Sequence, residues 1–131
     1  MTRLTLTLFI MRASVAAFFA VWAVEKLVKP ESAVAIFDRF YGISGLPLSV
    51  AYAIGAVQLL LVLAFLVWAR WRGITTGLLL AMHAVSTLST WQQLAAPYEG
   101  GNHLFWAAVP TLAALIALFL LRDEDRFLTV G

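Results

Sequence analysis

The sequence contains no cysteine, and charged residues make up only 12% of its 131 positions. The missing cysteine excludes a disulfide framework, a thiolate metal site and redox chemistry by a Cys-x-x-Cys motif of this chain. The formal net charge of +2 is small and the basic residues are spread along the chain, so nothing predicts nucleic-acid binding. Any electrons in its chemistry would have to be carried by another molecule.

Apolar residues are what the sequence has in quantity, at 63% of all positions with a mean hydropathy of +0.92. A soluble globule of this length needs more polar surface than such a composition supplies. The length of 131 residues allows one domain, whose core must be built mostly by helices that pack inside a bilayer. We therefore predict a single transmembrane domain over residues 1–131, with the lipid bilayer as its surroundings.

Four apolar segments approach the roughly 20 residues that a helix needs to cross a bilayer, and they cover 4–28, 47–69, 74–91 and 104–121. Arg12 interrupts the first segment before any cleavage site, so we predict a retained helix and not a signal peptide. Residues 30–42, PESAVAIFDRFYG, begin with proline and stop at glycine, which predicts a short surface helix. The expected fold is all-α: an antiparallel four-helix bundle in the membrane, with an amphipathic surface helix between helices 1 and 2.

Basic residues are distributed unevenly between the two sides that four spans would create. Cytoplasmic loops carry an excess of Lys and Arg, so the richer side is expected to be cytoplasmic. That side holds Arg3, Arg12, Arg70, Arg72, Arg122 and Arg126, and the other side holds Lys26, Lys29 and Arg39. We predict that both termini are cytoplasmic.

Gly73 and Gly77 stand four residues apart at the start of the third span. Small residues at this spacing let two helix backbones approach closely in a membrane. We therefore expect the second and third spans to make their closest contact around these glycines.

His83 is an ionisable residue in the middle of the third predicted span. A rise of about 1.5 Å per residue puts it roughly 13 Å into a core of about 30 Å, and Gln58, counted from the opposite side, about 16 Å deep. Thr87 and Thr90 follow His83 at i+4 and i+7, so they extend a polar stripe toward the outer surface, and Glu25 is expected near the outer end of the first span. An ionisable group at this depth is a functional candidate. The predicted ligand site consists of His83, Gln58, Thr87, Thr90, Glu25 and Trp22.

Each of these residues also has a structural interpretation. Ser and Thr in membrane helices commonly return their hydroxyl to a carbonyl one turn earlier, and Gln58 is expected to bond between helices. His83 can be a neutral imidazole satisfied by a neighbour, and Glu25 can form a solvated pair with Lys26 at the interface. A metal site is not predicted, because the other imidazole, His103, lies about half a bilayer from His83.

Two stretches, FFAVWAVEKLVKP (18–30) and GAVQLLLVLAFLVWARWRG (55–73), resemble the DoxX-like family of small bacterial membrane proteins. In that family the first helix ends in a Lys-Leu pair shortly before Pro, as Lys26, Leu27 and Pro30 do here. Gln58 stands where the family carries an acidic residue, so a membrane carboxylate is missing. Members are linked to thiosulfate:quinone oxidoreductases and to maturation of periplasmic redox enzymes. The resemblance implies a bacterial inner-membrane location and a redox-associated role.

The main functional hypothesis is an accessory membrane subunit of a redox system that binds a quinone-like lipophilic molecule. His83 and Gln58 would hydrogen-bond its carbonyl oxygens, and Trp22 or Phe19 would stack on its ring. The first alternative is a non-catalytic assembly or scaffold partner of a membrane or periplasmic protein. The second is a small-solute permease, which would need a homo-oligomer because the chain is too short for inverted repeats. The sequence leaves open whether the chain is itself catalytic.

Overall fold

The computed structural model describes residues 2–131, and helices are the regular structure of that range. The helices are α1 (Arg3–Val28), α2 (Pro30–Tyr41), α3 (Leu48–Val67), α4 (Arg72–Ser89), α5 (Trp91–Ala95), a 3₁₀ helix (Asn102–Ala107) and α6 (Ala108–Leu120). No β-strand occurs within residues 2–131, where the only strand-like feature is one isolated bridge between Trp68 and Val130. The predicted all-α class is confirmed.

Three helical segments are long and apolar enough to cross a membrane: Arg3–Val28, Leu48–Val67 and Asn102–Leu120. They correspond to the first, second and fourth predicted spans. The third predicted span, residues 74–91, falls on α4, which has 18 residues but is less apolar because it contains Arg72, His83 and several hydroxyl side chains. The structure therefore supports a membrane protein with three apolar helices and a fourth helix of mixed polarity.

The helix ends follow from local chemistry. Thr2 caps α1, because its hydroxyl accepts from the backbone N–H of Thr5 at 3.1 Å and its own N–H donates to the Thr5 hydroxyl at 2.9 Å. Pro30 stands in the first turn of α2, where a missing N–H costs nothing. Gly42 ends α2 in the left-handed conformation, with φ of +67°. The predicted short helix between the first two spans is thus present.

The buried core draws on four helices. It consists of Leu8, Val15 and Ala16 from α1, Val62 and Phe65 from α3, Leu79 from α4, and Leu115 and Leu118 from α6. The most extensive helix contacts are those of α1 with α3 and of α4 with α6, and α1 also packs on α6. Each of these four helices therefore has a neighbour on which it buries apolar surface.

The expected close contact between α3 and α4 at Gly73 and Gly77 is wrong. A methyl group at Gly77 would meet the ring of Phe119 on α6 at 3.5 Å, and one at Gly73 would meet Arg122 at 3.6 Å. The tight approach is instead at Gly55 of α3, where a methyl group would lie 2.8 Å from Cβ of Lys26 on α1. The small-residue spacing identified a packing surface but not its partner, because either neighbouring helix can use it.

The two ends of the packed helices are built differently. At the end that carries both termini, residues 121–131 fold back, and Val130 pairs with the turn between α3 and α4 through bonds of 2.7 Å to Val67 O and 3.0 Å from Ala69 N. At the other end α2 contacts the 3₁₀ helix through the rings of Phe40 and Phe105, 5.9 Å apart. We call these the terminal end and the α2 end.

Candidate functional site

Helix α4 has a polar buried face and an apolar exposed face. Its buried residues are Arg72, Thr75, Thr76, Leu79, His83 and Thr87, which recur at the spacing of one helix face. Its large exposed side chains are Ile74, Leu78, Val85 and Leu88. This is the reverse of a helix on the surface of a water-soluble protein, which turns its apolar face inward.

His83 lies in the interior, as predicted. Only 5% of its surface is exposed, and its Nε2 is 2.8 Å from the carbonyl oxygen of Ala108, at the start of α6. The imidazole stands edge-on to two α1 rings, with centroid distances of 6.1 Å to Phe18 and 5.6 Å to Phe19. His83 thus joins α4 to α6 by a hydrogen bond and to α1 by aromatic packing.

The hydroxyl groups of the predicted polar stripe beside His83 donate to backbone carbonyls of their own chain segment. Thr87 donates to the carbonyl of His83 at 2.7 Å, and Thr90, which follows the last residue of α4, donates to the carbonyl of Thr87 at 2.9 Å. Both bonds follow the habit of hydroxyl residues in helices. Thr87 is buried, whereas Thr90 is half-buried at the helix end.

The other three predicted site residues are less closely connected to His83. Trp22 is 43% exposed, and its ring stands 6.5 Å from that of Phe18, which in turn contacts His83. Gln58 and Glu25 are half-buried, and within residues 2–131 no hydrogen bond joins either side chain to His83. A ligand site shared by all six residues stays a prediction.

A buried ionic cluster occupies the terminal end, and sequence reasoning missed it. Asp125 accepts a hydrogen bond from Nη1 of Arg12 and lies 3.5 Å from Nε of Arg72. The exposed fractions of these three side chains are 0% for Arg12, 3% for Arg72 and 0% for Asp125. Arg12 also donates to Phe127 O, while Arg72 donates to Phe65 O and, at 3.2 Å, to Asp125 O. The cluster ties α1, α3 and α4 to the C-terminal segment.

Burial raises the pKa of the Asp125 carboxyl, because a carboxylate loses its hydration there, and the guanidinium charges of Arg12 and Arg72 oppose this rise. The interpretation of Arg12 and Arg72 as topology markers had left this pairing unseen. One signal was available: Arg12 stands within an apolar run, where a cation needs a partner. Nothing in the stretch RDEDRF (122–127) distinguishes Asp125 from its two acidic neighbours.

Two surface depressions lie among the described residues. One, of about 610 Å³, lies between α2 and the segment before α3, where Ser44 donates to Asp38 at 2.7 Å. The other, of about 340 Å³, is a groove between α1 and α6. Its lining includes Met11, Ser14, Phe18, Pro110, Thr111 and Ala114. Neither depression includes His83 or Gln58, but the groove reaches Phe18, which contacts the His83 ring.

No group of three or more histidine or carboxylate side chains within residues 2–131 is placed to hold a metal ion. The residues around His83 and Arg72 offer hydrogen bonds, aromatic surfaces and guanidinium charge. No family model, curated protein or solved structure matches the chain.

Proposed function

We propose that this chain is an accessory subunit of a bacterial membrane redox system, which crosses the inner membrane four times and binds a lipophilic molecule such as a quinone. The four spans are α1, α3, α4 and the 3₁₀ helix together with α6, in an antiparallel bundle. The observation that carries the membrane part is the inverted polarity of α4, with Leu78, Val85 and Leu88 outside and Thr76, His83 and Thr87 inside. In lipid this orientation satisfies both faces, since polar groups exposed to hydrocarbon are costly.

The exposed surfaces of the other three spans support the same surroundings. Large aliphatic side chains such as Val21 on α1, Leu60 on α3 and Leu120 on α6 are mostly exposed. Soluble monomers rarely expose large apolar patches, whereas exposed aliphatic side chains suit lipid chains. The orientation we propose has the terminal end in the cytoplasm, because exposed basic residues such as Arg3, Arg70 and Arg126 concentrate there.

A labelling experiment tests the topology. The chain has no cysteine, so single cysteines can be introduced at Tyr98, in the segment after α5, and at Gly131. In intact cells a membrane-impermeant maleimide should label Tyr98→Cys, and it should reach Gly131→Cys only after the membrane is opened. Labelling of Gly131→Cys in intact cells would contradict the orientation, and release of the protein from membranes by alkaline carbonate would contradict integration.

For the ligand, the groove between α1 and α6 is the best-supported location. Its lining is mostly apolar, with the hydroxyls of Ser14 and Thr111 as the polar groups, and its volume of about 340 Å³ is at the lower end of the range for small-molecule sites. A flat lipophilic ring could lie against Phe18, with a carbonyl toward Ser14. His83 would then act through Phe18 by holding it in place, since its Nε2 is engaged by Ala108. The resemblance to the DoxX-like family supports a quinone as the molecule.

The ligand proposal is tested by filling the groove. Protein purified in mild detergent should carry a quinone that solvent extraction and mass spectrometry detect. Ser14→Phe should reduce the amount retained at least tenfold, because the ring would occupy the groove. Ala17→Phe is the matched control, since Ala17 is an exposed α1 residue outside the groove lining. Equal quinone content in both variants, or none in the unaltered protein, would overturn this assignment.

The scaffold alternative is favoured by one observation at the α2 end. Trp91, Tyr98 and Trp106 are exposed there, and aromatic side chains are enriched at protein interfaces as well as at membrane interfaces. Substituting Tyr98 by Ala should leave folding unchanged and dissociate a partner from the complex isolated in mild detergent. Retention of the whole complex would remove this surface from consideration.

A further inference from the structure

The groove between α1 and α6 contains two hydroxyl groups whose hydrogens are used differently. Thr111, in the first turn of α6, has its hydroxyl oxygen 2.9 Å from the carbonyl oxygen of Ala107. A carbonyl can only accept, so the hydrogen in this bond is that of Thr111, and only the lone pairs of the hydroxyl are left for another partner. Toward the groove, Thr111 is therefore an acceptor.

Ser14, on the α1 side of the groove, has no such commitment. It is exposed, and its hydroxyl makes no hydrogen bond within residues 2–131. Other helix hydroxyls, such as those of Thr87 and Ser89, donate to the carbonyl one turn earlier, at 2.7 Å in both cases. A hydroxyl that faces lipid without a partner is costly. Ser14 is thus available both to donate to and to accept from a molecule in the groove.

The rest of the lining limits the groove to neutral molecules. No charged residue lines it, and its other side chains are apolar ones such as Met11, Phe18 and Ala114. Inside a membrane an unpaired charge is far more costly than a neutral polar group. A carboxylate or a phosphate would meet no cation there, whereas a neutral ring with hydroxyl or carbonyl groups needs none. The volume of about 340 Å³ leaves room for such a ring.

We propose that the groove prefers a neutral aromatic ring that carries hydroxyl groups over the same ring with carbonyl groups, so that of a quinone pair it binds the reduced, dihydroxy form more tightly. This selectivity rests on the ligand site proposed above and specifies which form of the ligand that site selects. A ligand hydroxyl can donate to Oγ1 of Thr111, whereas a ligand carbonyl would bring its lone pairs against those of Thr111. Ser14 can donate to either form. The preference therefore comes from Thr111.

The test measures both forms in one sample. The full chain in mild detergent is incubated without oxygen with equal amounts of a decyl-substituted benzoquinone and the corresponding benzoquinol, and both forms are quantified in the protein fraction after gel filtration. Protein-free micelles treated in the same way correct for partition into detergent. The protein should retain the quinol over the quinone by about fivefold or more, the ratio expected from one hydrogen bond.

Thr111→Val removes the acceptor and nearly keeps the shape of the side chain. The quinol preference should fall to that of the micelles, while the quinone is retained as before. Thr75→Val is the matched control, because the Thr75 hydroxyl also donates to a carbonyl, that of Trp71 at 3.1 Å, but lies outside the groove lining. Thr111→Ser keeps the hydroxyl and should keep the preference. Ser14→Ala should weaken retention of both forms by a similar factor and leave their ratio unchanged.

The outcomes separate this selectivity from the site on which it rests. Equal retention of the two forms, or more quinone than quinol, would contradict the selectivity but leave the groove as the site, provided that Ser14→Phe abolishes the retention. A quinol preference that persists unchanged in Thr111→Val would show that Thr111 is not its source. Retention of neither form above the level of the micelles would overturn the site itself and the selectivity with it.

Discussion

Helices α3 and α4 are adjacent in the chain and turn the same kind of surface outward, but they bury opposite kinds. The buried residues of α3 are Ala51, Gly55, Val62 and Phe65, whereas those of α4 include Arg72, Thr75, Thr76, His83 and Thr87. Both expose large aliphatic side chains, for example Leu60 on α3 and Leu88 on α4. Because both helices expose aliphatic side chains, both face the same kind of surroundings. Because their buried side chains differ, different interactions must hold each helix against its neighbours.

The attachment of α3 depends on close approach and that of α4 on polar partners. At Gly55 the backbone of α3 comes near Lys26 and Ala23 of α1, and the absence of a side chain makes this possible. Along α4, Arg72 is held by Asp125 and Phe65 O, and His83 is held by Ala108 O. In hydrocarbon the apolar effect does not drive helix association, so packing and hydrogen bonds must do so. Helix α3 is held mainly by close packing, and α4 mainly by hydrogen bonds and ion pairs.

The largest effect is expected where α4 depends on a charge. Asp125→Asn would remove the carboxylate that faces both buried guanidiniums, and breaking such a cluster should lower the free energy of unfolding by about 3–5 kcal/mol. The measurement is unfolding in mixed detergent micelles by titration with sodium dodecyl sulfate. Asp123→Asn is the control, because Asp123 is exposed and makes no ion pair among the described residues, and it should change stability by less than about 0.5 kcal/mol. Equal losses of stability in the two variants would show that the ionic cluster does not stabilise the fold.

A smaller loss is expected at His83. His83→Ala would remove the bond to the Ala108 carbonyl, which joins α4 to α6, and the ring that stands edge-on to Phe18 and Phe19, at a cost of about 2–3 kcal/mol. If this role is structural, cellular function should fall only in proportion to the folded protein that remains. His103→Ala, in the exposed 3₁₀ helix, should be neutral in the same assay. Full stability with complete loss of function would assign His83 to ligand binding instead.

The smallest effect concerns the glycines. Gly55→Ala should lower stability by about 1–2 kcal/mol, because the new methyl would lie 2.8 Å from Lys26 Cβ and 3.0 Å from Ala23 O. Gly77→Ala should be neutral or slightly stabilising, because its methyl would be at an ordinary 3.5 Å from Phe119 and alanine favours the helix. Thermal unfolding of the two variants side by side checks the difference. The reverse order would show that α4, and not α3, relies on close approach.

Much of the helical structure could be predicted from the sequence, since long apolar runs ended by Pro30, Gly42 or the Arg70–Arg72 turn have few other interpretations. The inward direction of His83 was predictable for the same physical reason, because an imidazole facing lipid is costly. Both inferences depend only on the type of residue and on the free energy of exposing it to lipid.

Partner choice could not be predicted. Gly77 packs on α6 and Gly55 on α1, and both have the same local signature of a small residue on a helix. Arg12 and Arg72 were assigned to the membrane surface by a rule about residue type, although a residue from the far end of the chain pairs with them. The His83 bond to Ala108 uses a backbone carbonyl, which every residue carries, so no pattern of side chains in the sequence predicts it. Contacts between residues far apart in the sequence depend on how the helices fit together in three dimensions, and the spacing of residues along one helix does not determine that fit.

The inverted polarity of α4 is tested most directly by spin labelling in lipid bilayers. Single nitroxides at the neighbouring residues Leu78 and Leu79, which are 49% and 1% exposed, report their surroundings through collisions with oxygen, which dissolves in lipid, and with a nickel chelate, which stays in water. We expect the label at Leu78 to collide with oxygen and not with the nickel chelate, and the label at Leu79 to collide with neither. Strong nickel collisions at Leu78 would place the outer face of α4 in water and contradict a fourth membrane span.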